Sequence, residues 1–218
     1  MQGIDAILFD PVGSLAEFPA EPFVDIATRV FGRALAAGLS GSQAYWEVLN
    51  LLESAGGPLL AHDRGIVEGC ELQAVDRASL YEDTAPALSE LNGLDIKLIA
   101  TSSLSEAALT RFLERFSLDE AFADVWSRDT AGGPTRALLT KAIAAASLAP
   151  DRVLFLTDTA DGLRTAKQVG VNAILMMNDP DEAMRQTAHD PAGGIVSLHE
   201  LPDFVRFIAA ENARRART

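Results

Sequence analysis

Polar residues follow three short apolar runs of the sequence, and their side chains are of types that can do acid, base or metal chemistry. The three groups are Asp10 after residues 6–9, Thr101 to Ser103 after residues 97–100, and Thr157 to Thr159 after residues 152–156. If the runs are neighbouring parallel strands, their carboxyl ends share one edge of a sheet and these side chains converge there. Two carboxylates with nearby hydroxyls can bind an anion together with a hard cation. The sequence therefore predicts a site that contains Asp10 and Asp158.

The elements that would position these residues follow from the spacing of the apolar residues. Four runs do not alternate with polar residues, which is typical of strands buried on both faces of a parallel sheet: 6–9, 97–100, 152–156 and 172–177. Apolar residues at helical spacing occupy three segments between or beside them: 105–116, 136–148 and 161–170. Alternating strands and helices predict an α/β fold with a doubly wound parallel sheet.

The segment from residue 17 to residue 80 has a different pattern. It contains amphipathic helical stretches joined by Gly and Ser turns, with no clear buried strand. We therefore predict a core built from residues 1–16 and 81–218, with a helical cap at residues 17–80 inserted after the first strand.

Charge and composition exclude some classes of partner. The chain has 218 residues, a formal net charge of -13 and 48% hydrophobic residues, enough to fill one substantial core. A negative field repels polyphosphate, so we expect neither nucleic acid nor an anionic membrane as a partner. We expect a small anionic ligand only if a local positive pocket exists. We expect the protein to be a monomer or a homodimer. Cys70 is the single cysteine, which favours a reducing compartment; without a signal-peptide pattern or a long apolar segment, we expect the cytoplasm.

Several stretches resemble the haloacid dehalogenase (HAD)-like hydrolase superfamily, in particular its β-phosphoglucomutase-like branch. FDPVGSL, from residue 9, resembles the first motif FDxDGTL, and LIATSS, from residue 98, resembles the second, a buried strand that ends in Ser or Thr. LFLTDTADGLRTAKQVG, from residue 154, resembles the fourth, and GGIVSLHELPDFV, from residue 193, resembles the usual closing strand and helix. The likeness covers residue 4 to about residue 207, and the insertion has the position and helical character of the family's type 1 cap.

The resemblance implies roles for individual residues. Asp10 would be the nucleophile that forms an aspartyl intermediate. Mg²⁺ would be held by the Asp10 carboxylate, the backbone carbonyl of Val12 and Asp158, an all-oxygen set suited to a hard ion. The remaining residues would contact the phosphate or support the catalytic turn: Thr101 as a donor to a phosphate oxygen, Ser102 and Gly13 beside the bound phosphate, and Ser14 within the turn.

The sequence departs from the family pattern at two catalytic positions. Val12 stands where the phosphatases have a second Asp that protonates the leaving group, and a valine cannot transfer a proton. Gly133 stands where the family has a Lys that neutralises the nucleophile and the bound anion. Three basic residues could replace the missing lysine: Arg128, Arg136 and Lys141.

Three functions are compatible with this pattern. The first is a degenerate member with little or no activity, which keeps the nucleophile but has lost the acid and the lysine. The second is a Mg²⁺-dependent phosphatase for a small phosphate ester, with water or a cap residue (His62, Asp63 or Arg64) as the proton donor. The third is a 2-haloacid dehalogenase-like hydrolase, because a halide leaves without protonation and Val12 would then be no handicap.

Overall fold

The computed structural model describes the backbone of residues 3–215 and the side chains of residues 3–210. Within this range there are eight strands: β1 (Ala6–Phe9), β2 (Ala16–Glu17), β3 (Ser79–Leu80), β4 (Lys97–Ser102), β5 (Asp124–Ser127), β6 (Val153–Thr157), β7 (Asn172–Met176) and β8 (Gly193–Ile195). The helices of the same range are α1 (Pro11–Ser14), α2 (Glu21–Phe31), α3 (Gly41–Ser54), α4 (Ala61–Arg77), α5 (Thr84–Asn92), α6 (Glu106–Phe116), α7 (Arg128–Ala131), α8 (Thr135–Ala145), α9 (Ala160–Val169), α10 (Pro180–Gln186) and α11 (Glu200–Arg215).

Six of the strands form a parallel sheet in the order β5-β4-β1-β6-β7-β8. The predicted α/β fold is therefore confirmed, and the four apolar runs are β1, β4, β6 and β7. Phe9 at the end of β1 pairs with Ala100 of β4 and with Leu156 of β6. Because these residues lie in register, the next residues along the three strands reach the same edge of the sheet, which is where the sequence predicts the site.

The core lies on both faces of this sheet. One cluster of buried side chains, which includes Leu8, Ile99 and Phe155, packs under α8 and α9. The cluster on the opposite face includes Phe9 and Phe112 and continues into the inserted helices through Phe23 and Tyr45. The insertion therefore shares its core with the sheet, and α3 is held against the carboxyl end of β1.

Helices α2, α3 and α4 lie between β2 and β3, two short strands that pair with each other in antiparallel fashion. The sequence did not predict these two-residue strands. Helices α2 and α4 pack together, and α4 also packs on α6. The boundaries proposed for the cap, at residues 17 and 80, stay a prediction.

Strand β5 is the main element that the apolar pattern did not predict. It is the edge strand next to β4, and its sequence DVWS has exposed or partly exposed side chains except for Ser127. An edge strand with one neighbour needs no continuous apolar run, so the signal that identified β1 and β6 is absent. None of the described helices is long and apolar enough to cross a membrane.

Candidate active site

Asp10 is fixed at the end of β1 by the turn that follows it. Its side chain caps α1: Oδ1 accepts a hydrogen bond from the Val12 amide at 3.2 Å, and Pro11 occupies the first helical position. The Ser14 hydroxyl donates to the Asp10 carbonyl from within the same turn. The role in the turn assigned to Ser14 stays a prediction, and the Val12 side chain is buried in the core cluster.

The Asp10 carboxylate is buried and is contacted only by neutral donors. Ser102 donates to Oδ1 at 3.0 Å, and Tyr45 donates to Oδ2 at 3.1 Å. Asp10 is only 6% exposed, and burial raises its pKa from 3.8 to about 7, although the hydrogen bonds from Val12, Ser102 and Tyr45 oppose this rise. The nearby Asp158 charge raises the pKa further. Asp10 is thus close to half protonated at neutral pH.

Asp158 follows β6 and lies against the Asp10 turn. Its Oδ2 accepts hydrogen bonds from Ser42 at 2.5 Å and from Asn178 at 3.2 Å. Asn178 also donates to the Gly13 carbonyl at 2.7 Å and so connects the two parts of the site. Burial raises the pKa of Asp158 from 3.8 to about 6, against the effect of the Ser42 and Asn178 hydrogen bonds.

The oxygen atoms of this site fit a hard divalent cation. Oδ1 of Asp158 is the one buried side-chain polar atom of the described residues that has no hydrogen-bond partner. The second carboxylate, that of Asp10, lies close enough for the charge of Asp158 to raise its pKa. No group of three or more His, Cys, Asp or Glu side chains within the described range could hold a metal, so backbone carbonyls and water would complete the ligand set. The role of the Val12 carbonyl stays a prediction.

Gly13 is required at its position by both conformation and space. Its φ is 79°, in the left-handed region, and a Cβ there would overlap the Asp158 carboxylate. Gly38 has the same φ of 79°, but a Cβ on this residue would meet no atom within 4 Å. The two glycines therefore separate the cost of the backbone conformation from the cost of displacing Asp158.

We expect Gly13→Ala to destabilise the protein by about 1 to 3 kcal/mol more than Gly38→Ala, the range typical of inserting a methyl group into a packed site. Gly38→Ala should cost about 1 kcal/mol, which is the strain of a left-handed alanine. Urea unfolding of both variants measures the difference. Equal losses would show that Gly13 does not hold Asp158 in place.

Thr101 and Ser102 occupy different positions relative to Asp10. The Thr101 hydroxyl is buried and lies 3.5 Å from the Phe9 carbonyl, while Ser102 is the residue whose hydroxyl contacts the carboxylate. The phosphate contacts assigned to Thr101, Ser102 and Gly13 stay predictions.

The three basic residues that could replace the missing lysine have other partners. Arg128 forms an ion pair with Glu71 at 2.6 Å, and Lys141 donates to the carbonyls of Thr130 and Ala131 at 3.2 and 3.3 Å. Arg136 lies near Glu53, whose pKa it lowers against the larger effect of burial. Among the described residues, no lysine or arginine contacts the Asp10 carboxylate, so its charge has no cationic partner in the protein.

Two residues of the site were not predicted from the sequence. They are Ser42 and Tyr45, and both belong to α3. Ser42 contacts Asp158, which lies more than a hundred residues further along the chain, and Tyr45 contacts Asp10, which lies more than thirty residues before it. Their separation of three places them on one helical face, but nothing in the sequence shows what that face covers. The three proton-donor candidates of α4 do not contact either carboxylate in the described range: His62, Asp63 and Arg64.

Two cavities open beside the site, and neither is lined by Asp10. One, of about 580 Å³, lies between Asp158, Asn178 and the start of α3. The other, of about 570 Å³, lies between the loop that carries Gly133 and the loop before α4, with Arg64 and Arg128 at its wall. Asp10 is itself buried.

Comparison with known proteins gives the family. A family model described as haloacid dehalogenase-like hydrolase matches residues 61–176. The chain belongs to the haloacid dehalogenase-like hydrolase family, which confirms the resemblance of the sequence motifs. Enolase-phosphatase E1 of Acidiphilium cryptum (strain JF-5) is 31% identical over 131 residues, which cover 57% of this chain and 56% of that protein. The chain thus matches little more than half the length of this curated relative.

Solved structures confirm the fold. A haloacid dehalogenase-like hydrolase of Streptococcus pneumoniae has a TM-score of 0.69 at 16% identity, covering 92% of this chain and 98% of that one. L-2-haloacid dehalogenase of Xanthobacter autotrophicus has a TM-score of 0.62 at 18% identity, covering 93% and 98%. At these identities the likeness concerns the fold.

Proposed function

We propose that this chain is a HAD-like hydrolase with a degenerate active site, which keeps the nucleophile Asp10 but does not turn over phosphate esters efficiently. The observation that carries the proposal is the environment of the Asp10 carboxylate. Its oxygens accept hydrogen bonds from the Val12 amide, the Ser102 hydroxyl and the Tyr45 hydroxyl, the last of which lies on Oδ2. No lysine or arginine of the described residues contacts it.

Each step of ester hydrolysis lacks a group at this site. Attack requires an ionised carboxylate, yet a pKa of about 7 leaves much of Asp10 protonated at neutral pH. Departure of an alkoxide requires a proton, and Val12 cannot supply one; such general acid help is typically worth about 10² to 10⁴ in rate. The negative charge that builds up on a transferred phosphoryl group would meet no Lys or Arg of the described chain.

Restoring both lost groups tests this account. We expect Val12→Asp/Gly133→Lys to hydrolyse an alkyl phosphate ester at least about 100-fold faster than the wild type in the presence of Mg²⁺, because it regains the acid and the cation. Two matched controls have side chains of similar size. Val12→Asn/Gly133→Lys lacks the acidic proton, Val12→Asp/Gly133→Met lacks the positive charge, and both should hydrolyse the ester at close to the wild-type rate. Wild-type turnover that Asp10→Asn abolishes would overturn the proposal.

An aryl phosphate separates the two deficits. Its phenolate leaves without protonation, so the absence of an acid at Val12 costs little for this ester. We expect the wild type to remain inactive on it because the cation is also absent. Chloride release from 2-chloropropionate tests the dehalogenase alternative. We expect the wild type to release no chloride.

A Mg²⁺-dependent phosphatase that acts through an aspartyl-phosphate is the second candidate, and the unpartnered Oδ1 of Asp158 favours it. The name of the curated relative, an enolase-phosphatase, supports the same class of reaction. Mg²⁺ would supply charge neutralisation at the two carboxylates when bound. Asp10 and Asp158 would hold it, and Asn178 would keep Asp158 oriented through Oδ2.

Thermal melting tests whether the two carboxylates form a cation site. We expect Mg²⁺ to raise the melting temperature of the wild type, since a ligand at 100 times its Kd stabilises the folded state by about 2.7 kcal/mol. Asp158→Asn should show no rise, and a potassium salt at matched ionic strength controls for screening. A flat response of both the wild type and Tyr45→Phe would show that Asp10 and Asp158 do not form a usable site.

The remaining expectations about partners rest on composition. We propose a small anionic molecule as the ligand class if the site is active, and neither nucleic acid nor a membrane, because the net charge is -13. The cytoplasm remains the proposed compartment, supported by the single cysteine, Cys70, which is buried and unpaired.

A further inference from the structure

One face of α3 covers both carboxylates of the site. The Ser42 hydroxyl lies 2.5 Å from Oδ2 of Asp158, and the Tyr45 hydroxyl lies 3.1 Å from Oδ2 of Asp10. Tyr45 is also 3.4 Å from the Ser102 hydroxyl, the other side-chain donor to Asp10. A single helical turn of the insertion thus occupies one oxygen of each acid.

Tyr45 fills the space in front of Asp10 as well as bonding to it. Its side chain is 1% exposed, and its ring packs against Phe23 with a centroid distance of 5.3 Å and against Trp46 at 6.3 Å. A ligand on Oδ2 of Asp10 would have to occupy the position of the Tyr45 hydroxyl. Neither neighbouring cavity is lined by Asp10.

We propose that Ser42 and Tyr45 form an autoinhibitory plug, and that a ligand reaches Asp10 only when α3 moves away from the carboxylates. Docking of the plug and binding of a divalent cation at Asp10 then compete for the same oxygen. The inference holds whether or not the protein turns over an ester, because it concerns only what occupies the site.

Such a movement would separate the buried face of α3, which includes Ala44, Tyr45 and Val48, from the core that it shares with the sheet. The flanking segments are less buried than the helix itself. The residues before the helix, 32–40, and those after it, 55–60, are mostly exposed. The start of α3 is held by close packing, since a Cβ on Gly41 would overlap the Phe18 carbonyl. Gly41→Ala must therefore displace either the start of α3 or the segment that carries Phe18, while it leaves both hydroxyls of the plug in the chain.

Mg²⁺ titration of plug variants tests the competition. We expect Tyr45→Phe to lower the Kd for Mg²⁺ about tenfold, because hydrogen bonds to a charged group are worth enough to shift an affinity by this factor. Gly41→Ala should shift the Kd in the same direction and covers the case in which Tyr45→Phe folds poorly. Ser54→Ala is the matched control: it removes a hydroxyl from the far end of α3 that bonds only to the Asn50 carbonyl.

Trp46 provides a second readout that needs no activity. The chain has two tryptophans, so Trp126→Phe leaves Trp46, which packs on Tyr45 and is 4% exposed, as the sole reporter. We expect Mg²⁺ to shift its emission to the red and to accelerate amide hydrogen exchange in α3, but not in α9.

Three results would overturn the plug. The first is an equal Kd for Mg²⁺ in Tyr45→Phe, Gly41→Ala and Ser54→Ala. The second is a Mg²⁺-bound protein in which the Trp46 emission and the amide exchange of α3 are unchanged. The third is the absence of Mg²⁺ binding even by the plug variants. Ester turnover by the wild type would instead contradict the proposed function and leave this comparison intact, so the two failures can be distinguished.

Discussion

Asp10→Asn is expected to stabilise the protein by about 4 kcal/mol at pH 8 and by less than about 0.5 kcal/mol at pH 4. Burial raises the pKa of this carboxyl from 3.8 to about 7, and each pKa unit corresponds to about 1.36 kcal/mol. An asparagine can keep the bonds to Asp10: its oxygen accepts from Val12 and Ser102, and its amide faces the Tyr45 oxygen, which can accept.

The sign of the pH dependence follows from the raised pKa. Because the folded protein holds the proton more tightly than the unfolded chain, the favourable contribution of protonated Asp10 is complete below about pH 4 and is lost as the pH rises through about 7. The free energy of unfolding of the wild type should fall over this range and level off above it. Asp158, with a pKa of about 6, adds a change of the same sign.

Urea unfolding of the wild type and Asp10→Asn between pH 4 and pH 8 measures this effect. Asp95→Asn makes the same chemical change at an exposed side chain and is the matched control. If Asp10→Asn changes the stability equally at all pH values, the Asp10 carboxyl does not carry a raised pKa.

Arg128→Met is expected to cost about 3 to 5 kcal/mol, because it leaves the charge of Glu71 buried without a partner. The guanidinium of Arg128 contacts both Glu71 oxygens, at 2.6 and 3.2 Å, and the Glu71 side chain is 2% exposed. Glu71 also accepts from the Ser105 amide at 3.0 Å, so this pair joins α4 of the insertion to the start of α6. The ion pair therefore engages Arg128, one of the three candidates for the missing lysine.

A double-mutant cycle separates the pair from its surroundings. Arg128→Met/Glu71→Gln removes both charges and should recover much of the lost stability, whereas two independent sites would give additive losses. Arg77→Met, which breaks the exposed pair with Glu21, is the matched control and should cost less than about 1 kcal/mol. An equally small loss for Arg128→Met would mean that the Glu71 charge is solvated.

The elements that the sequence predicted well are those with a strong local signal. Strands β1, β4, β6 and β7 are buried on both faces, so their apolar runs are continuous, and the parallel register that follows brings Asp10 to the same edge as Asp158. The edge strand β5 lacks that signal because its side chains are partly exposed. The departure at Val12 is visible in the sequence because FDPVGSL otherwise follows the first motif, whereas the departure at Gly133 rests on its spacing to the strand at residues 152–156.

The features that the sequence could not predict depend on how distant elements dock. Tyr45 and Trp46 are buried, but the contact of the Tyr45 hydroxyl with Asp10 arises only from the packing of α3 against β1. Likewise, Arg128 was a candidate for the missing lysine, and only its pairing with Glu71 shows that it is engaged elsewhere. Side-chain type and spacing carry no information about such partners.

A soak of wild-type crystals with Mg²⁺ and beryllium fluoride at pH 8 tests the central claim, that Asp10 is a retained nucleophile closed to its substrate. At this pH Asp10 is ionised, so protonation cannot explain a negative result. Crystals of Val12→Asp/Gly133→Lys/Tyr45→Phe, which also lack the hydroxyl on Oδ2, provide the positive control. We predict no beryllium fluoride density joined to wild-type Asp10, with the Tyr45 hydroxyl still in contact with Oδ2. Density for the phosphate mimic on Asp10, with Tyr45 displaced, would contradict the account.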